Sequence, residues 1–402
     1  MIDVTVGDNR ATGGGALRSL SLISAAHFIS HYYMLVLPML FPFLKERLGV
    51  GYIELGLALT VFSVVTGLTQ APVGYLVDRV GARRILIAGL MLGGISLILL
   101  ALTLNYAWLL VCALLLGLGN SVYHPADYAL LSANMDEAHM GRAFSVHTFA
   151  GYLGAAVAPA IVAVLLLTVG GLGALMVSGL FGIITGVVLL ALPIPEASAA
   201  RQGNADGGKV NVVTPMIMVL MVFFMLLGLS ISGISNFGVV ALMGGYDASL
   251  SLANTALTGY LGAASLGVLA GGLLADRITR HDLVAAVCYS INAAMVAAIA
   301  LTMPAAPVLV ATLTLAGFLS GMIAPSRDMM VRKAAPPGAA GRAFGIVTTG
   351  FNIGGIISPL LFGWIMDTGV PRWVFGATAV FMALTVLLTL AIDRRAARQA
   401  AA

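Results

Sequence analysis

This 402-residue chain has little charge: Asp, Glu, Lys and Arg make up 9% of it, against 60% hydrophobic residues. Soluble domains carry about a quarter charged residues. A soluble protein is therefore excluded. Cysteine is almost missing too. Cys112 and Cys288 stand alone inside apolar runs, which excludes a disulfide framework and a thiolate metal site and points to buried packing. No G-x-x-x-x-G-K-[ST] run is present, so nothing suggests a phosphate-cradling loop. No metal-ligand spacing or nucleophile–base pair argues for an enzyme, and no cofactor is expected.

Long, unbroken apolar stretches rich in Leu, Ala, Val and Gly fill the rest. Outer-membrane strands alternate apolar and polar residues over about ten positions, so these stretches read as helices. Breaks at charge, Pro and Gly clusters give twelve spans near 17–44, 52–77, 83–103, 107–131, 142–168, 172–193, 214–243, 250–275, 283–303, 307–331, 342–366 and 373–392. Each reaches the roughly 20 residues that a bilayer core requires. The expected organisation is a tail over 1–16, a six-helix bundle over 17–193, a polar linker over 194–213, a second bundle over 214–393 and a tail over 394–402. Of the 20 Lys and Arg, three (Lys45, Arg47 and Arg372) fall on one side, Arg327 falls within a span, and the other sixteen share the side of the termini. That bias predicts cytoplasmic termini and gives the net charge of +4 a topological meaning rather than a nucleic-acid one.

The chain also repeats itself. Pro125, Gly141-Arg142-Ala143-Phe144, Thr148, Gly154 and Pro159 recur at Pro325, Gly341-Arg342-Ala343-Phe344, Thr348, Gly354 and Pro359, an offset of 200 without a gap. Gly74-Tyr75-Leu76-Val77-Asp78-Arg79 is echoed by Gly272-Leu273-Leu274-Ala275-Asp276-Arg277. Two similar apolar halves holding a solute between them are a common design of secondary transporters.

Gly74 to Arg84 resembles the G-x-x-x-D-R-x-G-R-R loop signature of the major facilitator superfamily, with Ala82 in place of the first basic residue of the pair. The resemblance covers essentially the whole chain. Tyr123-His124-Pro125 and Pro325-Ser326-Arg327-Asp328 are similar to the fosmidomycin-resistance type of exporter within it. This likeness implies an all-α membrane protein of two pseudo-symmetric six-helix bundles, alternating access, no covalent chemistry and a cavity lined by helices 1, 4, 7 and 10. It further implies a latch on the terminus-bearing side, in which Asp78 and Asp276 face helix N-termini beginning at Arg342 and Arg142, beside Arg79.

Ionisable residues inside spans cost about 2.5–3.5 kcal/mol to insert, so each calls for a partner or a function. Asn120, His124 and Asp127 share one face of the fourth span at i, i+4 and i+7. The repeat aligns Asp127 with Arg327, which leaves two readings: an ion pair between the halves, or a proton site at Asp127 with Arg327 free for an anion. His27 and His31 share a face of the first span, followed by Tyr32. Histidine titrates near neutral pH and suits proton coupling or anion binding, although a membrane histidine also serves as a plain hydrogen-bond donor. His147 reads as structural. Ser232, Asn236 and Asn352 complete the polar pocket candidates.

The expected function is proton-coupled transport of a small organic, anionic or amphipathic solute across a bacterial-type inner membrane, directed outward, by a functional monomer. Its partners are the solute, protons and the bilayer. Because the fifth span lacks the Gly-Pro pair of the antiporter signature, proton symport of a carboxylate or aromatic acid stays open. A receptor or scaffold without transport is the remaining alternative, and the short loops and intact intramembrane charges speak against it.

Overall fold

A computed structural model describes residues 13–195, 212–275, 277–278, 280–336 and 340–401, without the side chains of 13–14, 137–138, 141, 340–342 and 392–401. Most of the expected N-terminal tail and linker, the side chains of the C-terminal tail, Asp276, and the side chain of Arg342 lie outside this description.

The described residues are helical throughout: α1 (Gly13–Met39), α2 (Phe41–Leu48), α3 (Tyr52–Val80), α4 (Ala82–Leu102), α5 (Tyr106–Asn120), α6 (Tyr123–Asn134), α7 (Glu137–Ala191), α8 (Pro215–Tyr246), α9 (Leu250–Ala275), α10 (His281–Leu301), α11 (Ala306–Ala334), α12 (Ala340–Asp367) and α13 (Trp373–Ala401). Eleven are long and apolar enough to cross a membrane when α5 and α6 are taken as one span, Tyr106–Asn134. The apolar part of α7 runs for 50 residues, which at 1.5 Å per residue is over twice the bilayer core. It folds back at Gly170, whose φ of 71° and ψ of 175° suit glycine. Among the described residues twelve crossings result, so α1 begins and α13 ends on the same face.

Local chemistry sets several ends. The Asn105 side chain accepts the Trp108 N–H at the start of α5, and Thr214 accepts the Ile217 N–H at the start of α8. α5 and α6 are parted at Ser121–Val122, four residues ahead of Pro125, which has no N–H for the Ser121 carbonyl. The first span is shorter than expected: it stops at Met39, and Phe41–Leu48 forms a separate short helix that carries Pro42 in its first turn and ends on Gly49 at φ 65°.

The repeat is visible in the packing. In the first half α1 packs on α7, α4 on α7 and α3 on α5; in the second α8 packs on α12, α10 on α13 and α9 on α11. Glycines set the closest of these contacts. A Cβ at Gly154 would strike the Phe28 carbonyl of α1, and one at Gly354 would lie 2.8 Å from the Met225 carbonyl of α8. Gly154→Ala should therefore lower stability by about 1–3 kcal/mol, whereas Gly262→Ala, with open space around it, should be neutral or gain up to about 1 kcal/mol. Denaturant unfolding in detergent reads both. Equal effects would remove close backbone approach as the reason for the glycine face.

Candidate functional site

Gly151 and Gly154 bring α7 against α1, and a Cβ at Gly151 would sit 2.7 Å from the His27 ring. One turn earlier on the same face, His147 stacks on His27 with ring centroids 3.9 Å apart. Both histidines reach one carboxylate. His27 Nδ1 lies 3.3 Å and His147 Nε2 3.5 Å from Asp127 Oδ2. Asp127 is fully buried, and at these distances neither its oxygens nor His27 Nδ1 nor either His147 nitrogen makes a hydrogen bond to a described residue. Three helices thus enclose one carboxyl group that has no other protein partner. These are also the three described side chains whose ligand atoms, within 4.8 Å of one another, could hold a metal ion.

The cluster has a way out. His31 and His124 stand 4.7 and 5.7 Å from the His27 ring, and Tyr128 stands 5.8 Å from His124. His31 is half-buried, while His124 and Tyr128 are exposed. The His27 ring thus has the buried carboxyl on one side and His31 and His124 on the other, with the exposed Tyr128 beyond His124. The members of the cluster come from three places in the chain, residues 27–31, 124–127 and 147.

The ion pair expected between Asp127 and Arg327 is not formed. Arg327 Nε donates to Asp328 Oδ1 at 2.9 Å, and its guanidinium lies over Phe224 at 5.0 Å and Phe351 at 5.2 Å. The glycine contacts explain why. Phe28 and Met225 occupy matching places on α1 and α8, so His27 and Phe224 correspond, as do Gly151 and Phe351. Each member of the expected pair turns to the first helix of its own half. The repeat relates their positions and does not bring them into contact.

Other expected pocket residues are occupied elsewhere. Tyr32 is fully buried, and its hydroxyl pairs with Ser178 Oγ on the returning limb of α7 at 2.8 Å. Ser232 Oγ accepts from both Ser358 Oγ at 2.7 Å and Asn236 Nδ2 at 2.9 Å, which ties α8 to α12. Asn120 lines a void of about 10 Å³ inside the first half, with Ser30 and Tyr33. Asn352 stands against α3, 3.7 Å from where a Gly67 Cβ would be. Polarity in a span marked these residues, but the hydrogen-bond partner of a membrane hydroxyl or amide is often another helix.

Between the halves, α3 runs antiparallel along α12 from the face opposite the termini. The Asp367 carboxylate at the end of α12 accepts the Tyr52 and Ile53 backbone N–H groups, each at 2.8 Å, and lies 3.7 Å from Lys45 Nζ. It caps the N-terminus of α3 across the two halves. Deeper in, Thr60 Oγ1 donates to the Ile356 carbonyl at 3.0 Å, and a Gly363 Cβ would lie 2.6 Å from the Tyr52 carbonyl. Towards the terminus-bearing face the helices separate. Gly74 and Gly345 have open space around them, and Asp78, Arg79 and Arg142 are exposed. Among the described residues, the close contacts between α3 and α12 gather at the face opposite the termini.

Twelve apolar crossings in two matching halves, sealed together at one face around intramembrane ionisable groups, define a multi-pass membrane transporter rather than an enzyme. The sequence profile described as Major Facilitator Superfamily matches residues 23–246 and, again, 218–402. The chain belongs to that superfamily. It is 25% identical over 270 residues to the fosmidomycin resistance protein of Escherichia coli (strain K12), covering 65% of this chain and 66% of that protein. It is 25% identical over 391 residues to the uncharacterized MFS-type transporter YfnC of Bacillus subtilis (strain 168), covering 93% and 91%. Among solved structures, a bacterial homologue of the human lysosomal transporter Spinster, in an inward-facing and occupied conformation, shares the fold with a TM-score of 0.80 at 14% identity over 96% of this chain and 98% of that one.

Proposed function

We propose that the protein is a proton-coupled secondary transporter that exports a small organic anion or amphipathic solute across a bacterial-type inner membrane, as a monomer with cytoplasmic termini. The observation that carries this reading is the buried Asp127 carboxyl set between His27 and His147, with His31 beside His27 and with His124 and the exposed Tyr128 leading from His27 to the accessible side of α6. A carboxyl group without a fixed cation is neutral when it holds a proton, and the imidazoles in contact with it can take that proton on release, so the charge of the cluster changes by one for each proton carried. Arg327, in the matching place of the other half, supplies the fixed positive charge for an anion. Neither role requires a cofactor or a nucleotide.

Alternation follows from the two ends of α3 and α12. With the outer face capped by Asp367, the inner ends are apart and solute and proton exchange with the cytoplasm. In the opposite state Asp78 would cap the α12 N-terminus near Arg342 as the outer face opens, with Arg79 and Arg142 at the same inner surface. The likeness to a resistance protein favours export. The missing Gly-Pro pair of the fifth span favours the second reading, symport of a carboxylate into the cell.

Proteoliposomes loaded with a pH-sensitive dye test coupling and direction together when a panel of organic acids is added outside. A proton flux opposite to the solute flux is expected; flux in the same direction would replace export with symport, and solute flux without proton movement would remove coupling altogether.

A further inference from the structure

The surroundings of Arg327 define more than a positive charge. Only Nε of the guanidinium is engaged, by Asp328 Oδ1 at 2.9 Å, and a guanidinium presents five N–H donors in a fixed plane. Among the described residues the terminal Nη groups make no hydrogen bond, and the side chain is 15% exposed. Phe224 on α8 and Phe351 on α12 flank the group, at 5.0 and 5.2 Å from its central carbon. Tyr152 of the first half lies within electrostatic reach of Arg327, and Tyr128 of the first half within reach of Asp328. Arg327 therefore lies near the first half as well as against α8 and α12. Asp328 is 48% exposed, and its second oxygen accepts no hydrogen bond.

We propose, resting on the transporter reading above, that this corner is a subsite for a planar aromatic monocarboxylate. Two Nη donors grip a carboxylate at two points in one plane. A ligand held there meets two phenyl rings, which reward a flat π-system by offset or edge-to-face contact and not only by area. Asp328 sets the charge. It already offsets Arg327, so a second negative charge on the ligand faces an exposed carboxylate at short range with no further fixed cation among the described side chains that contact Arg327. A monoanion is accepted, and a dianion of the same body is penalised.

Binding to the purified, tag-free full-length protein in detergent, by titration calorimetry, tests the subsite with three probes: benzoate, cyclohexanecarboxylate, and phenylphosphonate at a pH where it is dianionic. Benzoate should bind at least about tenfold tighter than either of the others. Asp328→Asn should narrow the gap between benzoate and phenylphosphonate several-fold. Phe351→Leu, which keeps every charge, should weaken benzoate and leave cyclohexanecarboxylate unchanged, while Arg327→Lys should weaken both carboxylates about tenfold or more. Phenylphosphonate binding as tightly as benzoate, cyclohexanecarboxylate matching benzoate, or no binding of any probe would each overturn the proposal. Coupled solute and proton flux in the proteoliposome assay would, in any of those cases, leave the transporter reading standing.

Discussion

Asp127→Asn should abolish transport driven by a pH gradient while sparing solute exchange at equal pH. The amide keeps the shape of the carboxyl group and takes away its proton chemistry. It also removes the one acid in contact with His27 and His147. Folding should survive, because a neutral amide at a fully buried position avoids the cost of an uncompensated charge. His147→Gln should keep part of the gradient-driven activity, since His27 remains on the same carboxylate oxygen. Full gradient-driven transport by Asp127→Asn would remove this residue from the mechanism, and loss of exchange as well as coupling would make it a structural group.

Asp367→Asn should open the outer face. Two backbone N–H groups at 2.8 Å and Lys45 at 3.7 Å all address one carboxylate, and no other ion pair joins the halves among the described residues. The side chain is 23% exposed, so solvent weakens the contact. A loss of about 1–2 kcal/mol is expected, or about 5- to 30-fold in the ratio of outer-closed to outer-open protein. Spin labels at Glu46 and Val370 on the outer face, both exposed, should move apart in the variant, and labels at Tyr75 and Thr349 on the inner face should approach. Distances that match the wild type would demote Asp367 to an ordinary helix cap.

Hydropathy made the crossings legible because the bilayer demands long apolar helices, and the fold-back at Gly170 fell where the gap between 168 and 172 put it. The repeat foretold two similar halves, and their helices pack alike. Its failure is instructive. Asp127 and Arg327 were matched by alignment, yet equivalent residues of two bundles face equivalent neighbours, here His27 and Phe224, and not each other. His147 carried a usable signal, since it shares a helix face with Gly151 and Gly154, the residues that allow α1 to come close. Tyr32 and Ser232 were marked by polarity alone, which cannot say whether a hydroxyl meets a cavity or Ser178 and Ser358. Asp367 gave no sequence signal, because its partners are backbone N–H groups 314 and 315 residues away.

The account rests on one link, from the proton state of the Asp127 cluster to the choice of open face. It can be measured without knowing the solute. In lipid nanodiscs, the outer distance between labels at Glu46 and Val370 and the inner distance between labels at Tyr75 and Thr349 are followed from acidic to alkaline pH in the wild type and in Asp127→Asn. The account predicts opposite changes at the two faces with pH in the wild type and distributions independent of pH in the variant. The same pH response in both proteins would contradict it.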